Sequence, residues 1–204
     1  TEMGNVTGLS SQEWLAHPGS VGKVMPGATV RVVDEAGNDV PPGIIGEVMG
    51  RNSYGIDFTY QNAPEKRRQM ERYGLVTPGD MGYFDADGFL YLCDRINDMI
   101  ISGGANIYPA EIEAELHKLP GVADCAVFGI PDEEFGEQVM AVVQPMPGVT
   151  LDADDLKAGL RKVLTSYKVP RRIDFADSLP REDSGKIFKR KLREPFWEGR
   201  ERRI

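Results

Sequence analysis

Four loops, three of them glycine-bearing and each carrying a charged or amide side chain, are where this sequence could hold a ligand. They are Thr77-Pro78-Gly79-Asp80, Asp94-Arg95-Ile96-Asn97-Asp98, Ser102-Gly103-Gly104-Ala105-Asn106 and Ser184-Gly185-Lys186. A loop with few Cβ atoms lets a ligand approach the backbone, and one fixed charge then orients it. Taken singly, each loop reads as a turn or a surface loop. Several familiar chemistries are excluded. Gly185-Lys186 is not a phosphate-binding P-loop, because Pro180 stands where the first glycine should be and Ile187 where Ser or Thr should be. Ser102-Gly103-Gly104 lacks the dinucleotide spacing, and no Gly-x-Ser-x-Gly elbow occurs. His17 and His117 are expected to be structural or surface residues without ligand-like neighbours. Cys93 and Cys125, far apart in sequence, suggest neither a disulfide framework nor a zinc site.

The charge balance narrows the partners. Net charge is -8 over 204 residues, which argues against nucleic acid. Residues 161–204 nevertheless hold 14 Lys/Arg against 7 Asp/Glu. Such a segment can face a polyanion such as a nucleotide or CoA, or be a solvated basic tail. No apolar run reaches the roughly 20 residues of a transmembrane helix. No signal-peptide pattern is read, so a reducing cytoplasm is the expected compartment.

The elements that must position these loops fall into two rhythms. Residues 28–50 read as short strands, with a hairpin turn at Glu35-Ala36-Gly37-Asn38. Residues 64–72 read as a polar helix, and Asp87-Gly88 as the turn of a second hairpin. Beyond about residue 95, Pro109 opens a helix with Ile112, Leu116 and Leu119 on one face. Strands follow over 122–130 and 138–143, separated by a turn at Pro131-Asp132. Asp152 caps a helix with the stripe Leu156, Leu160, Val163 and Leu164, and residues 173–176 form a last short strand. The expected fold is α+β: barrel-like β-structure over 1–94, then a small domain over 95–204 with helices on an antiparallel sheet.

The order of the loops resembles the adenylate-forming superfamily, which includes acyl-CoA synthetases, peptide-synthetase adenylation domains and luciferases. Thr1-Glu2 is similar to the end of its Tyr-Gly-x-Thr-Glu motif, and Gly46-Glu47 followed by Tyr60 to its Gly-Glu-hydrophobic motif. Thr77 to Asp80 resembles Thr-Gly-Asp with Pro78 inserted. Asp94-Arg95 resembles Gly-Arg. Asp98 to Glu113 resembles the long loop-helix signature, and Pro180 to Ile187 matches Pro-x-x-x-x-Gly-Lys-Ile, extended by Lys189 to Arg193. The tail Leu192 to Arg200 is most similar to the acyl-CoA synthetase branch.

The resemblance implies roles. Asp80 would hold ribose hydroxyls, since a carboxylate accepts two hydrogen bonds from a diol. Arg95 would contact ribose and phosphate as a fixed-charge fork. Thr1 would bond the α-phosphate, and Glu2 would help hold Mg²⁺. Lys186 would be catalytic, offsetting the repulsion when a carboxylate attacks the α-phosphate of ATP. After adenylation the 95–204 domain, a mobile lid, would pivot at Asn97, where relatives carry Asp or Lys. Gly103 and Gly104 would then line the tunnel for the pantetheine arm of coenzyme A, with Tyr167 and Arg171 near its nucleotide. The implied substrates are a fatty or aromatic carboxylic acid, ATP and CoA. Residues 1–94 would be the end of a larger N-terminal portion that this chain lacks, so the chain alone is expected to be inactive and to expose apolar surface. Two alternatives are an adenylating enzyme that loads a carrier protein and a non-catalytic CoA-binding module.

Overall fold

In a computed structural model, residues 4–55 and 57–200 are described. Thr1 and Glu2 lie outside them. The chain divides into two compact units after Ile96. The first contains β1 (Thr7–Gly8), α1 (Ser11–Ala16), β2 (Ser20–Val24), β3 (Ala28–Val33), β4 (Gly46–Asn52), α2 (Pro64–Gln69), β5 (Glu71–Arg72), β6 (Leu75–Val76), β7 (Asp80–Phe84) and β8 (Leu90–Arg95). The second contains β9 (Ile100–Ser102), β10 (Ala105–Ile107), α3 (Pro109–Leu116), β11 (Val122–Asp132), β12 (Gly136–Pro145), α4 (Ala153–Leu160), β13 (Arg172–Phe175) and α5 (Lys189–Trp197). Arg95 ends β8 and Ile96 donates its N–H to Gly79, so both group with the first unit rather than opening the second.

The first unit is an antiparallel sheet ordered β1-β2-β8-β7-β4-β6-β5, with β3 on the other edge of β4. Successive residues of β3 and β4 point to opposite faces, as a period of two requires. Val32 and Val48 pack with Leu90, while Val33 and Met49 pack with Leu75. The two hairpin turns form at Asp34–Asn38 and Asp85–Phe89, and Gly88 supplies the positive φ, +82°, that the second needs. Helix α2 is shorter than expected, ending at Gln69 before Glu71 and Arg72 turn into β5. Large apolar side chains on this unit are half or more exposed at Trp14, Leu15, Ile44, Tyr54 and Tyr73.

The second unit is built on the β11–β12 hairpin, paired from Val122↔Pro145 to Asp132↔Gly136. Cys125 and Val127 on one face join Ile112 and Leu116 of α3 and Leu156 and Leu160 of α4 in the main core. Phe128 and Ile130 on the other face meet Leu179 and, from α5, Leu192 and Phe196. Pro109 opens α3, where a missing N–H costs nothing. Asp152 caps α4 by accepting from the N–H groups of Asp154 and Asp155.

Two further expectations need correction. Pro131 and Asp132 are not a turn; they extend β11 opposite Glu137 and Gly136, and the chain reverses over 133–135. Val163 lies past the end of α4 and is 63% exposed, whereas Leu164 is buried. The sheet is antiparallel, as expected, apart from β13, which pairs parallel to β12. Gly103-Gly104 is a tight turn between β9 and β10. Both glycines have positive φ, +58° and +81°, the requirement of a two-residue type I′ turn.

Helix α5 also fastens the start of its own unit. The Arg193 guanidinium donates to the Asn97 carbonyl at 3.1 Å and stands 3.7 Å from the Asp98 carboxylate.

The packing ranks two substitutions. Leu160 is fully buried in the main core, so Leu160→Ala is expected to cost about 2–5 kcal/mol. Asp152→Ala removes a cap and is expected to cost about 1 kcal/mol. Urea unfolding followed through Trp197 in a Trp14→Phe background measures both, and reversed magnitudes would contradict this account of the core.

Candidate functional site

Two sets of candidate residues lie in the second unit and one in the first. In the first unit Asp80 opens β7 and Arg95 closes β8, directly opposite each other in register. The Arg95 Nε stands 3.4 Å from Asp80 Oδ1, with the carboxylate largely sheltered and the guanidinium exposed. The turn before Asp80 is stiffened from both sides. Thr77 Oγ1 accepts the Gly79 N–H at 3.0 Å, and the Gly79 carbonyl accepts the Ile96 N–H at 2.8 Å. A sheltered carboxylate beside a forked cation can take up a diol and an adjacent anion.

Lys186 sits at the tip of a small hairpin closed by the bridge Arg181↔Ile187. Glu182 N–H donates to the Lys186 carbonyl at 2.8 Å, and Gly185 N–H to the Glu182 carbonyl at 2.8 Å. The Lys186 side chain is exposed. Behind the hairpin, Lys189 opens α5 and pairs with Glu113 of α3 at 2.7 Å, both side chains below 20% exposed. The same carboxylate oxygen accepts the Val127 N–H at 2.7 Å. Helix α3, strand β11 and the lysine-bearing segment thus meet on one carboxylate.

The glycine turn lies at the other end of the β11–β12 ladder. Gly103 N–H donates to the Phe135 carbonyl at 2.9 Å, and Ser102 pairs with Gly136. The Arg171 guanidinium stacks 4.4 Å from the Phe135 ring centroid and reaches Asp132 at 3.4 Å. Asp132 also accepts from the N–H groups of Glu134 and Phe135, which sets the reversal that carries the ring. Gly103 and Arg171 therefore meet through Phe135. A Cβ on Gly103 would come within 3.0 Å of that ring, whereas one on Gly104 would meet nothing within 4 Å. Tyr167 is exposed in the 3-10 turn Ser166–Lys168.

Sequence reasoning missed Phe135, Glu113 and Arg181. Phe135 lies in an acidic turn with no glycine pattern of its own, and only the charge types of the others hinted at pairing. It also missed the carboxylate neighbours of the histidines. His17 faces Asp85 at 3.4 Å and stacks on Phe89, and together with Asp87 these groups place ligand atoms within 4.8 Å of one another. His117 faces Asp124 at 3.5 Å. Sheet pairing brings His17 to carboxylates almost 70 positions away, which no local window reveals. Asp85 Oδ1 is engaged by the Asp87 and Phe89 N–H groups, so the cluster works as a turn clasp. Cys125 is buried. Burial first, then the Glu113 and Asp124 charges, push its thiol up to about 12.

The chain has well-matched relatives among known proteins. Residues 111–186 match the AMP-binding enzyme C-terminal domain family. The chain is 46% identical over 169 residues to a feruloyl-CoA synthase of Amycolatopsis sp., covering 82% of this chain and 34% of that protein. It is 40% identical over 200 residues to a fatty acid–[acyl-carrier-protein] ligase of Streptomyces coeruleorubidus, covering 98% and 37%. Among solved structures, o-succinylbenzoate CoA synthetase of Bacillus subtilis, in complex with its acyl-adenylate intermediate, superposes with a TM-score of 0.83. It shares 32% identity over 92% of this chain and 38% of that one. The chain belongs to the adenylate-forming superfamily, whose AMP-binding C-terminal domain it carries. It spans about a third of the length of the curated relatives it matches.

The Glu113 junction can be tested by itself. Glu113→Ala strands the half-buried Lys189 ammonium and the Val127 N–H. A loss of about 1–3 kcal/mol is expected, with a red shift of Trp197 fluorescence as α5 loosens from the Gly129 carbonyl that the indole now contacts at 3.0 Å. Unchanged stability and emission would mean that α5 is held by its apolar face alone.

Proposed function

We propose that this chain is the C-terminal part of an AMP-forming acid–CoA ligase. In this reading residues 1–94 end the large domain and the second unit is a mobile lid. The observation that carries it is the placement of the two candidate sites in that unit. The Lys186 hairpin is anchored at Asp124 near the start of β11, and the glycine turn packs at its end, beyond Asp132. Eight residues of strand separate those points, or roughly 26 Å at the usual rise. One small domain thus presents two different ends, which suits a protein whose two half-reactions use it in turn.

In the first half-reaction the carboxylate attacks the α-phosphate of ATP and pyrophosphate leaves. Two anions approach, and the Lys186 ammonium offsets both their repulsion and the charge that develops. Asp80 holds the ribose and Arg95 the ribose and phosphate. In the second, the CoA thiol attacks the acyl carbonyl and AMP leaves. Gly103 and Gly104 let the pantetheine arm pass the backbone, while Arg171 and Tyr167 meet its nucleotide. Asn97 is the pivot between the two uses. This reading requires ATP, Mg²⁺ and CoA, together with a fatty or aromatic acid bound by a part of the protein beyond this chain, in the cytoplasm. Among the described residues no helix is long and apolar enough to cross a membrane. A carrier protein as acyl acceptor is the second reading, favoured by the similarity to the carrier-protein ligase. Turnover with CoA but not with a phosphopantetheinylated carrier would exclude it.

In the enzyme that contains this chain, Lys186→Ala is expected to lower acyl-adenylate formation by about 10² or more, comparable to losing an oxyanion donor. Thioester synthesis from supplied acyl-adenylate should persist. An equal fall in both half-reactions of a folded variant would refute the assignment.

Substitution at Gly104 should do the reverse. The left-handed φ makes any side chain there costly by about 1–2 kcal/mol, so Gly104→Asn, which tolerates that backbone, serves as the control. Gly104→Leu should release pyrophosphate yet form little acyl-CoA. If Leu and Asn variants make thioester equally well, the turn does not line a pantetheine path. The 204-residue chain alone should release no acid-dependent pyrophosphate.

A further inference from the structure

We propose that Arg181 is a positioning residue for Lys186, acting as a clamp across the base of the lysine hairpin. The inference rests on the reading of Lys186 as the adenylation lysine. Two backbone hydrogen bonds shape the tip: Glu182 N–H to the Lys186 carbonyl and Gly185 N–H to the Glu182 carbonyl. The Ser184 hydroxyl adds only a 3.5 Å contact to the Lys186 N–H. Gly185 sits at φ +85°, a conformation that glycine enters and leaves freely. Such a tip is poorly defined by its own bonds.

The Arg181 fork supplies what is missing. One terminal nitrogen donates to the Gly185 carbonyl at 2.8 Å, directly before Lys186, and the other pairs with the Asp124 carboxylate. Asp124 belongs to β11, next to an irregularity of the ladder between Val122 and Asp124, the kind of feature that re-aims a side chain. Its carboxylate also accepts the Cys125 N–H and faces His117, so it is itself fixed to the sheet and to the end of α3. The flexible glycine is thereby referred to the rigid ladder through one planar cation. An ammonium offers a single centre and cannot span the two acceptors in fixed geometry.

Two measurements test the clamp. In the 204-residue chain, Arg181→Met should speed amide hydrogen exchange at Glu182 and Gly185 by about tenfold, leaving the β11 and β12 amides unchanged. Arg181→Lys should recover little of that protection. In the enzyme that contains the chain, Arg181→Met should lower the rate of acyl-adenylate formation by about tenfold through misplacement of the ammonium. The KM for ATP and the thioester step from supplied acyl-adenylate should change less than about twofold, because neither depends on where the ammonium points. Unchanged exchange overturns the clamp, as does full protection by Lys. A loss of adenylation in Lys186→Ala but not in Arg181→Met overturns this inference and leaves the proposed function standing. No loss in Lys186→Ala overturns the proposed function instead, and the exchange measurement then decides the clamp alone.

Discussion

The ladder between β11 and β12 is covered on both faces, and the rest of the second unit takes its positions from it. Cys125 and Val127 turn toward α3 and α4, while Phe128 and Ile130 turn toward α5. A strand buried on both sides cannot slip by one residue without exchanging two different apolar surfaces. Register is therefore strongly specified, and with it the distance between whatever is attached to the two ends. The lysine hairpin and the glycine turn owe their separation to that constraint.

Charge refines what the apolar ladder sets. Glu113 gathers the Val127 N–H and the Lys189 ammonium, and Asp132 gathers the Glu134 and Phe135 N–H groups with Arg171 alongside. Asp132 stands where a loop meets the end of the ladder, and Glu113 where α3 meets the middle of β11. Buried apolar area is indifferent to small rotations, whereas a hydrogen bond is not. The directional contacts therefore decide how the exposed candidate residues are presented, although they bury little surface.

Much of this was legible from local pattern. Asp152 before a 3.6-period stripe is a cap on any reading, and Asp87-Gly88 between apolar runs is a hairpin. Leu156 and Leu160 fell where the helical period put them. What stayed hidden depended on distant pairing. The three-residue strands β9 and β10 are too short to carry a period, so nothing marked Gly103-Gly104 as the turn of a hairpin. Pro131 looked like a turn because its ring is a breaker in most contexts, yet it is accommodated near the end of a strand. Thr77 to Asp80 and Asp94-Arg95 were visible as separate motifs, and the register that sets Asp80 opposite Arg95 was not. The Phe135 and Arg171 stack joins two segments 36 positions apart, with nothing in either segment to announce the other.

The bond from Arg193 to the Asn97 carbonyl carries a topological consequence. It places the first residue of the second unit beside α5, the last helix among the described residues. A unit whose entry is tied to its own helix keeps that closure when the chain is opened elsewhere. The exposed turn at Met146–Val149, where Gly148 takes a φ of +77°, is such an opening. A cut there breaks neither the ladder nor the Glu113 junction.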